Sequence, residues 1–314
     1  MKSVSFCLLF LSVNFLFSQI KLKSPEELMS SRIHISSQTP VKDQGNGNSC
    51  SAFGVAAALE TLPNMPKDIS ENFLYTAQKY EQFDTNNTIT RGTFLKAYVT
   101  SLPKYGILTE AELPYPQIAA SKWEDHESEV LKILKESPTG PVSFIYKYKS
   151  IAKFLNLDSY EYMDRMQSKN IERIKCLLDN GVKAIPVSYE LYMPAWEKFQ
   201  ATKYTTITPD KGYFLRGFNQ KQVTYSDMKK AIVNLNDKIN SGQIVLERTV
   251  VPTKNYNPYG GHVVAIVGYD SEGFIIKNSW GTDWRYYGYE RISYDYHELF
   301  AYEALALKKV SFKK

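Results

Sequence analysis

The chain has 314 residues, 43% hydrophobic and 23% charged, a globular composition with enough apolar material for one large domain or two lobes. Its net charge of +5 is mild and its Lys and Arg residues are spread out, which excludes a basic nucleic-acid footprint. There is no internal repeat and no low-complexity tract, so a solenoid or a disordered chain is excluded as well.

Residues 1–19 read as a secretory signal peptide. Lys2 supplies the positive start, residues 6–17 a short apolar core, and Ser18 a small residue at the cleavage point. That run is too short to span a membrane, and no later run of about 18 apolar residues follows, so no membrane anchor is expected. The implied location is secreted, extracellular or periplasmic. Residues 20–38 form a short N-terminal segment, and residues 39–314 the main domain.

Residues 50–62 are nearly all apolar or small and end at Pro63, which predicts a helix buried on every side. Further helices are predicted near Ser70 and after Thr93, with Pro114-Tyr115-Pro116 as a loop. Amphipathic segments follow at 127–136 and 168–180, the second closed by Gly181. Residues 184–189 read as a strand. Residues 226–240 place Met228, Ile232, Leu235 and Ile239 at helical spacing. The clearest strand signals are an apolar run at 263–269, a turn at 270–273 and a return strand at 274–277. Helices followed by strands imply an α+β fold of two lobes, a helical one at about 39–180 and a β-rich one at about 181–314.

Three cysteines are present. Cys7 lies in the signal segment. Cys50 joins a glycine-rich loop to the first helix, where orphan N–H groups and the positive end of the helix dipole favour thiolate over thiol. Cys176 reads as structural, on a helix with Ile171, Ile174 and Leu178. Pairing Cys50 with Cys176 would consume the one thiol in a reactive context, so both are expected free. The predicted hairpin brings His262 and Asn278 within a rung or two of each other at its open end. A cysteine, a histidine and an orienting amide are the parts of a cysteine-nucleophile site. Singly, each residue has a plainer reading: a buried thiol, a turn histidine, a strand-end asparagine. His34, His126 and His297 lack metal-ligand spacing and read as surface or packing residues. Asn86-Asn87-Thr88 matches a glycosylation sequon.

Three segments together resemble the papain-like (cathepsin-type) cysteine proteases. They are residues 44–53, then Gly261-His262-Val263-Val264-Ala265-Ile266-Val267-Gly268-Tyr269, then Ile276-Lys277-Asn278-Ser279-Trp280-Gly281-Thr282-Asp283-Trp284, continued by Gly288-Tyr289. The resemblance implies a helical lobe and a β-barrel-like lobe with the active-site cleft between them. It implies Cys50 as nucleophile, His262 as acid/base partner, Asn278 as its orienter and Gln44 in the oxyanion hole. It further implies Trp280 as a shield over the histidine and Gly92 as a substrate-backbone contact. The Cys50–His262 pair would be thiolate and imidazolium. The expected partner is a peptide or protein substrate, with no cofactor, no metal and a monomeric chain. A papain-like binding protein without activity, and a Cys/His acyltransferase or amidase, are the alternatives.

The chain departs from the family's C-G-[SA]-C-[WY] pattern in two places: Gly47 replaces the upstream half-cystine, and Ser51 the aromatic after the nucleophile. About 210 residues separate Cys50 from His262, against roughly 130–150 in the family. The surplus is expected around 120–170 and in an insertion at about 192–256 that borders the cleft. No standard propeptide is read between the signal and Pro40.

Overall fold

The computed structural model describes residues 34–45, 47–86, 92–115, 147–192, 196, 205–208, 212–215 and 259–313. The signal segment, the amphipathic segment at 127–136 and the helix at 226–240 lie outside them.

Three helices come first: α1 (Cys50–Glu60), α2 (Glu71–Asn86) and α3 (Leu95–Tyr105). Every residue of α1 from Ser51 to Glu60 is buried, as its all-round apolar sequence requires. Strand β1 (Leu155–Met163) and helix α4 (Ile171–Asp179) follow. Then come β2 (Ile185–Tyr192), β3 (Thr205–Thr208), β4 (Gly212–Leu215), β5 (Tyr259–Tyr269), β6 (Gly273–Lys277), β7 (Tyr289–Ser293), α5 (Tyr294–Phe300) and β8 (Ala301–Phe312). The expected helix within 168–180 is α4, whose N-cap Asn170 side chain accepts the Arg173 N–H.

The strands form one eight-stranded sheet in the order β1-β8-β2-β5-β6-β7-β4-β3. All pairings are antiparallel except β4 with β7. One sheet edge is therefore formed by β3 and β4, and the opposite edge by β1.

Two apolar cores lie on opposite faces of the sheet. One packs α1, α2 and α3 against Val263, Ala265 and Val267 of β5 and Leu305 and Leu307 of β8. The other packs α4 and α5 against Val264 and Ile266 of β5 and Ala301, Ala304 and Ala306 of β8. The period-two alternation of β5 and β8 thus serves both cores at once. Helix α1 approaches β5 closely at Gly54, where an added Cβ would sit 2.7 Å from Val263 Cγ1. That contact lies one helical turn from Cys50 and sets the thiol beside β5.

Candidate active site

Cys50 is the first residue of α1 and half-buried; neither it nor Cys176 is in a disulfide. Burial pushes the thiol up, while N–H bonds from Val263, Ser51 and its own backbone, and the charge of Lys79, pull it down; the net direction is upward. Val263, whose N–H is among the groups that favour the thiolate, is the strand residue next to His262.

His262 is buried, and its Nε2 lies 2.7 Å from Asn278 Oδ1. The hairpin achieves this through a register shift between Ile266 and Gly268, after which Ala265 pairs with Lys277. The same Asn278 oxygen accepts the Ser279 N–H at 2.8 Å. An amide oxygen receiving a backbone N–H is only an acceptor, so His262 carries its proton on Nε2 and its Nδ1 is the bare nitrogen. Trp280 covers the ring, with centroids 4.5 Å apart and planes at 31°. Burial lowers the His262 imidazole to about 4, against the opposing pull of Asn278. Each group alone is thus pushed toward neutrality by its burial.

Gln44 is buried in the loop before α1. Its backbone N–H donates to Ser279 O at 2.8 Å, its Oε1 accepts the Ser279 hydroxyl at 2.6 Å, and its Nε2 donates to Gly47 O. The amide has two N–H groups, so one is left to serve an oxyanion. A bridge between Asp43 and Trp280 fastens this loop to the Asn278–Trp280 segment. Gly92 has φ +66°, in the left-handed region that suits glycine, and its carbonyl accepts the buried Lys79 ammonium at 2.6 Å.

Sequence reasoning missed Trp196. It is fully buried and meets His262 edge-on at 5.9 Å, while stacking on Trp284 at 6.2 Å. Its Nε1 donates to Tyr296 Oη at 2.8 Å, and its carbonyl accepts from Trp284 Nε1 at 3.0 Å. Trp196 thus forms a wall against the His262 ring. One further reading is corrected, and one is narrowed to a single alternative. Cys176 is exposed, because Ile174, Leu177 and Leu178 take the buried face of α4. His297 belongs to the packing class but is fully enclosed, bonded to Tyr189 Oη at 2.7 Å and Ser168 O at 2.8 Å.

Behind Asn278 and Ser279 lies a charged pocket that includes Lys42, Glu60, Glu71 and Lys277. Lys42 Nζ meets Glu60 at 3.1 Å, Asp68 at 2.8 Å and Glu71 at 2.7 Å. Burial lowers Lys42, but the carboxylates outweigh it and the ammonium is held charged. Lys277, whose Nζ donates to Thr39 O at 2.7 Å, is pushed down to about 8 by burial.

A family model described as papain family cysteine protease matches residues 26–156 and 198–307. No curated protein matches the sequence. Among solved structures, the chain is similar to xylellain, a cysteine protease from Xylella fastidiosa, at 20% identity and a TM-score of 0.50, covering 91% of this chain and 85% of that one. It is also similar to the cysteine protease and lectin-like domains of Cwp84, a surface layer associated protein of Clostridium difficile, at 17% identity and a TM-score of 0.51. That match covers 91% of this chain and spans 53% of the other. These likenesses give the two-lobed α+β fold, and the family match gives the chemistry. The chain belongs to the papain family and is a cysteine-type peptidase.

Proposed function

We propose that the protein is a secreted peptidase that cleaves peptide bonds through Cys50, His262, Asn278 and Gln44 by way of a thioester. His262 Nδ1 takes the Cys50 proton, and the sulfur attacks the substrate carbonyl carbon. The oxyanion that forms is held by the free Gln44 N–H and by the Cys50 backbone N–H. As the C–N bond breaks, the imidazolium returns its proton to the leaving amine. His262 then deprotonates a water that attacks the thioester carbon; the C–S bond breaks, and the acid product and thiol are released. Asn278 holds the ring and Trp280 keeps water from their bond. Gly92 is proposed to pair with substrate backbone.

The observation that carries this reading is the His262–Asn278 bond at 2.7 Å, covered by Trp280, on a strand whose next residue, Val263, packs against the helix that begins at Cys50. Secretion is supported by Lys2 and the apolar run at 6–17. Among the described residues no helix is long and apolar enough to cross a membrane.

An epoxysuccinyl-peptide inhibitor tests the site. The expected result is a single adduct on Cys50, absent in Cys50→Ala, with hydrolysis of a mixed peptide library in wild type only. No adduct under reducing conditions would overturn it in favour of a binding role. An adduct without peptide turnover would favour non-peptidase acyl transfer.

A further inference from the structure

Tyr115 follows α3, and its ring is buried against the nucleophile loop, edge-on to Phe53 at 4.9 Å. Its hydroxyl donates to Gln44 O at 3.0 Å and lies 2.7 Å from the Ser49 hydroxyl. A phenol has one proton. With that proton committed to Gln44, Ser49 Oγ is the donor in the second bond. The result is a one-way chain from Ser49 through Tyr115 to Gln44, in which each bond strengthens the next. The Tyr115 segment is itself tethered: its N–H donates to Glu110 Oε1 at 2.6 Å, and Asn72 Nδ2 donates to Pro114 O at 2.9 Å.

Ser49 is the N-cap of α1. A serine there ordinarily accepts the N–H of the second or third helical residue through its side chain. Here its side chain makes no capping bond. The N–H groups of Cys50 and Ser51 pull the Cys50 thiol toward the thiolate instead.

We propose that Tyr115 is a positioning residue of the nucleophile loop. Its hydroxyl draws the Ser49 side chain away from the helix N-terminus, which leaves the first N–H groups to the Cys50 sulfur and the oxyanion, and it anchors Gln44 by the carbonyl. The hydroxyl chain supplies a tether in a loop that has Gly47 at the position of the family's half-cystine. The role rests on the peptidase reading given above. The titratable groups facing the thiol are Lys79 of α2, Tyr98 of α3, Tyr115 itself and, beside Val263, His262.

The test uses the full chain as wild type, Tyr115→Phe, Ser49→Ala and the double variant. For each, kcat and KM are measured on a peptide substrate, and Cys50 alkylation by iodoacetamide is followed against pH. In Tyr115→Phe, kcat is expected to fall about tenfold with KM within about twofold. Its alkylation midpoint is expected to rise by about half a pH unit, because the released Ser49 hydroxyl competes for the Ser51 N–H. Removing that hydroxyl in the double variant restores the midpoint but not kcat. Ser49→Ala alone, which leaves the ring untouched, keeps the wild-type midpoint. A Tyr115→Phe protein with wild-type kcat and midpoint overturns the inference, as does a raised midpoint that persists in the double variant or arises in Ser49→Ala. A wild type whose Cys50 is inert overturns the peptidase reading and this inference together; a reactive wild type with unaltered variants overturns the inference alone.

Discussion

Ser279 holds Gln44 at both ends: its carbonyl accepts the Gln44 backbone N–H at 2.8 Å and its hydroxyl donates to Gln44 Oε1 at 2.6 Å. The Ser279 N–H meanwhile fixes Asn278 Oδ1. One residue thus links Gln44 to the asparagine that meets His262. Ser279→Ala removes only the hydroxyl and lets the Gln44 amide rotate. The expected result is a fall in kcat of about tenfold with KM nearly constant, and a stability loss of about 1–2 kcal/mol, read by steady-state kinetics and chemical denaturation.

The Cys50–His262 pair titrates as a unit if its charges are mutual. In Cys50→Ala the imidazole has no anionic partner, and its midpoint is expected near the 4 that burial imposes. In wild type the ring is expected to hold its proton to a distinctly higher pH. Proton NMR of the His262 ring in both proteins measures this, and equal midpoints would rule out the ion pair.

Trp196 both fills space and aims the histidine. Trp196→Ala is expected to cost about 3–5 kcal/mol, as for other large buried aromatics. Trp196→Phe keeps most of the ring contact with His262 but loses the donor to Tyr296. Its stability loss is expected to be smaller, with kcat reduced more than KM. If Trp196→Phe matched wild type in both measures, the residue would be filler alone.

Gly54 is the position where helix propensity and packing oppose each other. Alanine would favour the helix by about 1 kcal/mol. Its Cβ, however, would stand 2.7 Å from Val263 Cγ1, in a contact between α1 and β5 that places the thiol. Overpacking of about 1–3 kcal/mol outweighs propensity, so Gly54→Ala is expected to be less stable and less active. A higher melting temperature with full activity would show that the helix shifts freely.

His297 gives the fold an acid limit. Burial lowers it to about 3, with the Ser168 bond opposing, whereas the unfolded side chain titrates near 6.5. Between those values the unfolded state binds a proton that the folded state refuses. The contribution is therefore complete above about pH 6.5 and lost as pH falls toward 3, with a slope of up to ~1.4 kcal/mol per pH unit. Thermal melts of wild type and His297→Gln from pH 7 to 4 should show a shallower acid decline in the variant.

Much of the site was legible because its signals are local. A buried helix beginning at Cys50, and a hairpin closed by Asp270 and Gly273, follow from short-range pattern and turn chemistry. The Asp270 carboxylate indeed accepts the N–H groups of Glu272 and Gly273. The Gln44 contacts rested on resemblance, since nothing around a lone glutamine marks it. Residues 301–312 are rich in Ala, Leu, Glu and Lys, good helix formers, yet they form β8 because β1 and β2 flank them on both edges. Strand β1 alternates apolar and polar residues, but the alternation changes phase at Ser159, where the register with β8 shifts, so the signal is split into two short runs. Trp196 has no periodic context; its partners His262, Trp284 and Tyr296 all come from chain far downstream.

The shared strand β8 also bears on how the protein is made. Leu305 and Leu307 complete one core, and Ala304 and Ala306 the other. During synthesis, neither core can close until β8 has left the ribosome, although Cys50, His262 and Asn278 emerged well before it. On the proposed mechanism, the nascent chain would therefore carry its reactive groups before the strand that completes both cores is available to assemble them.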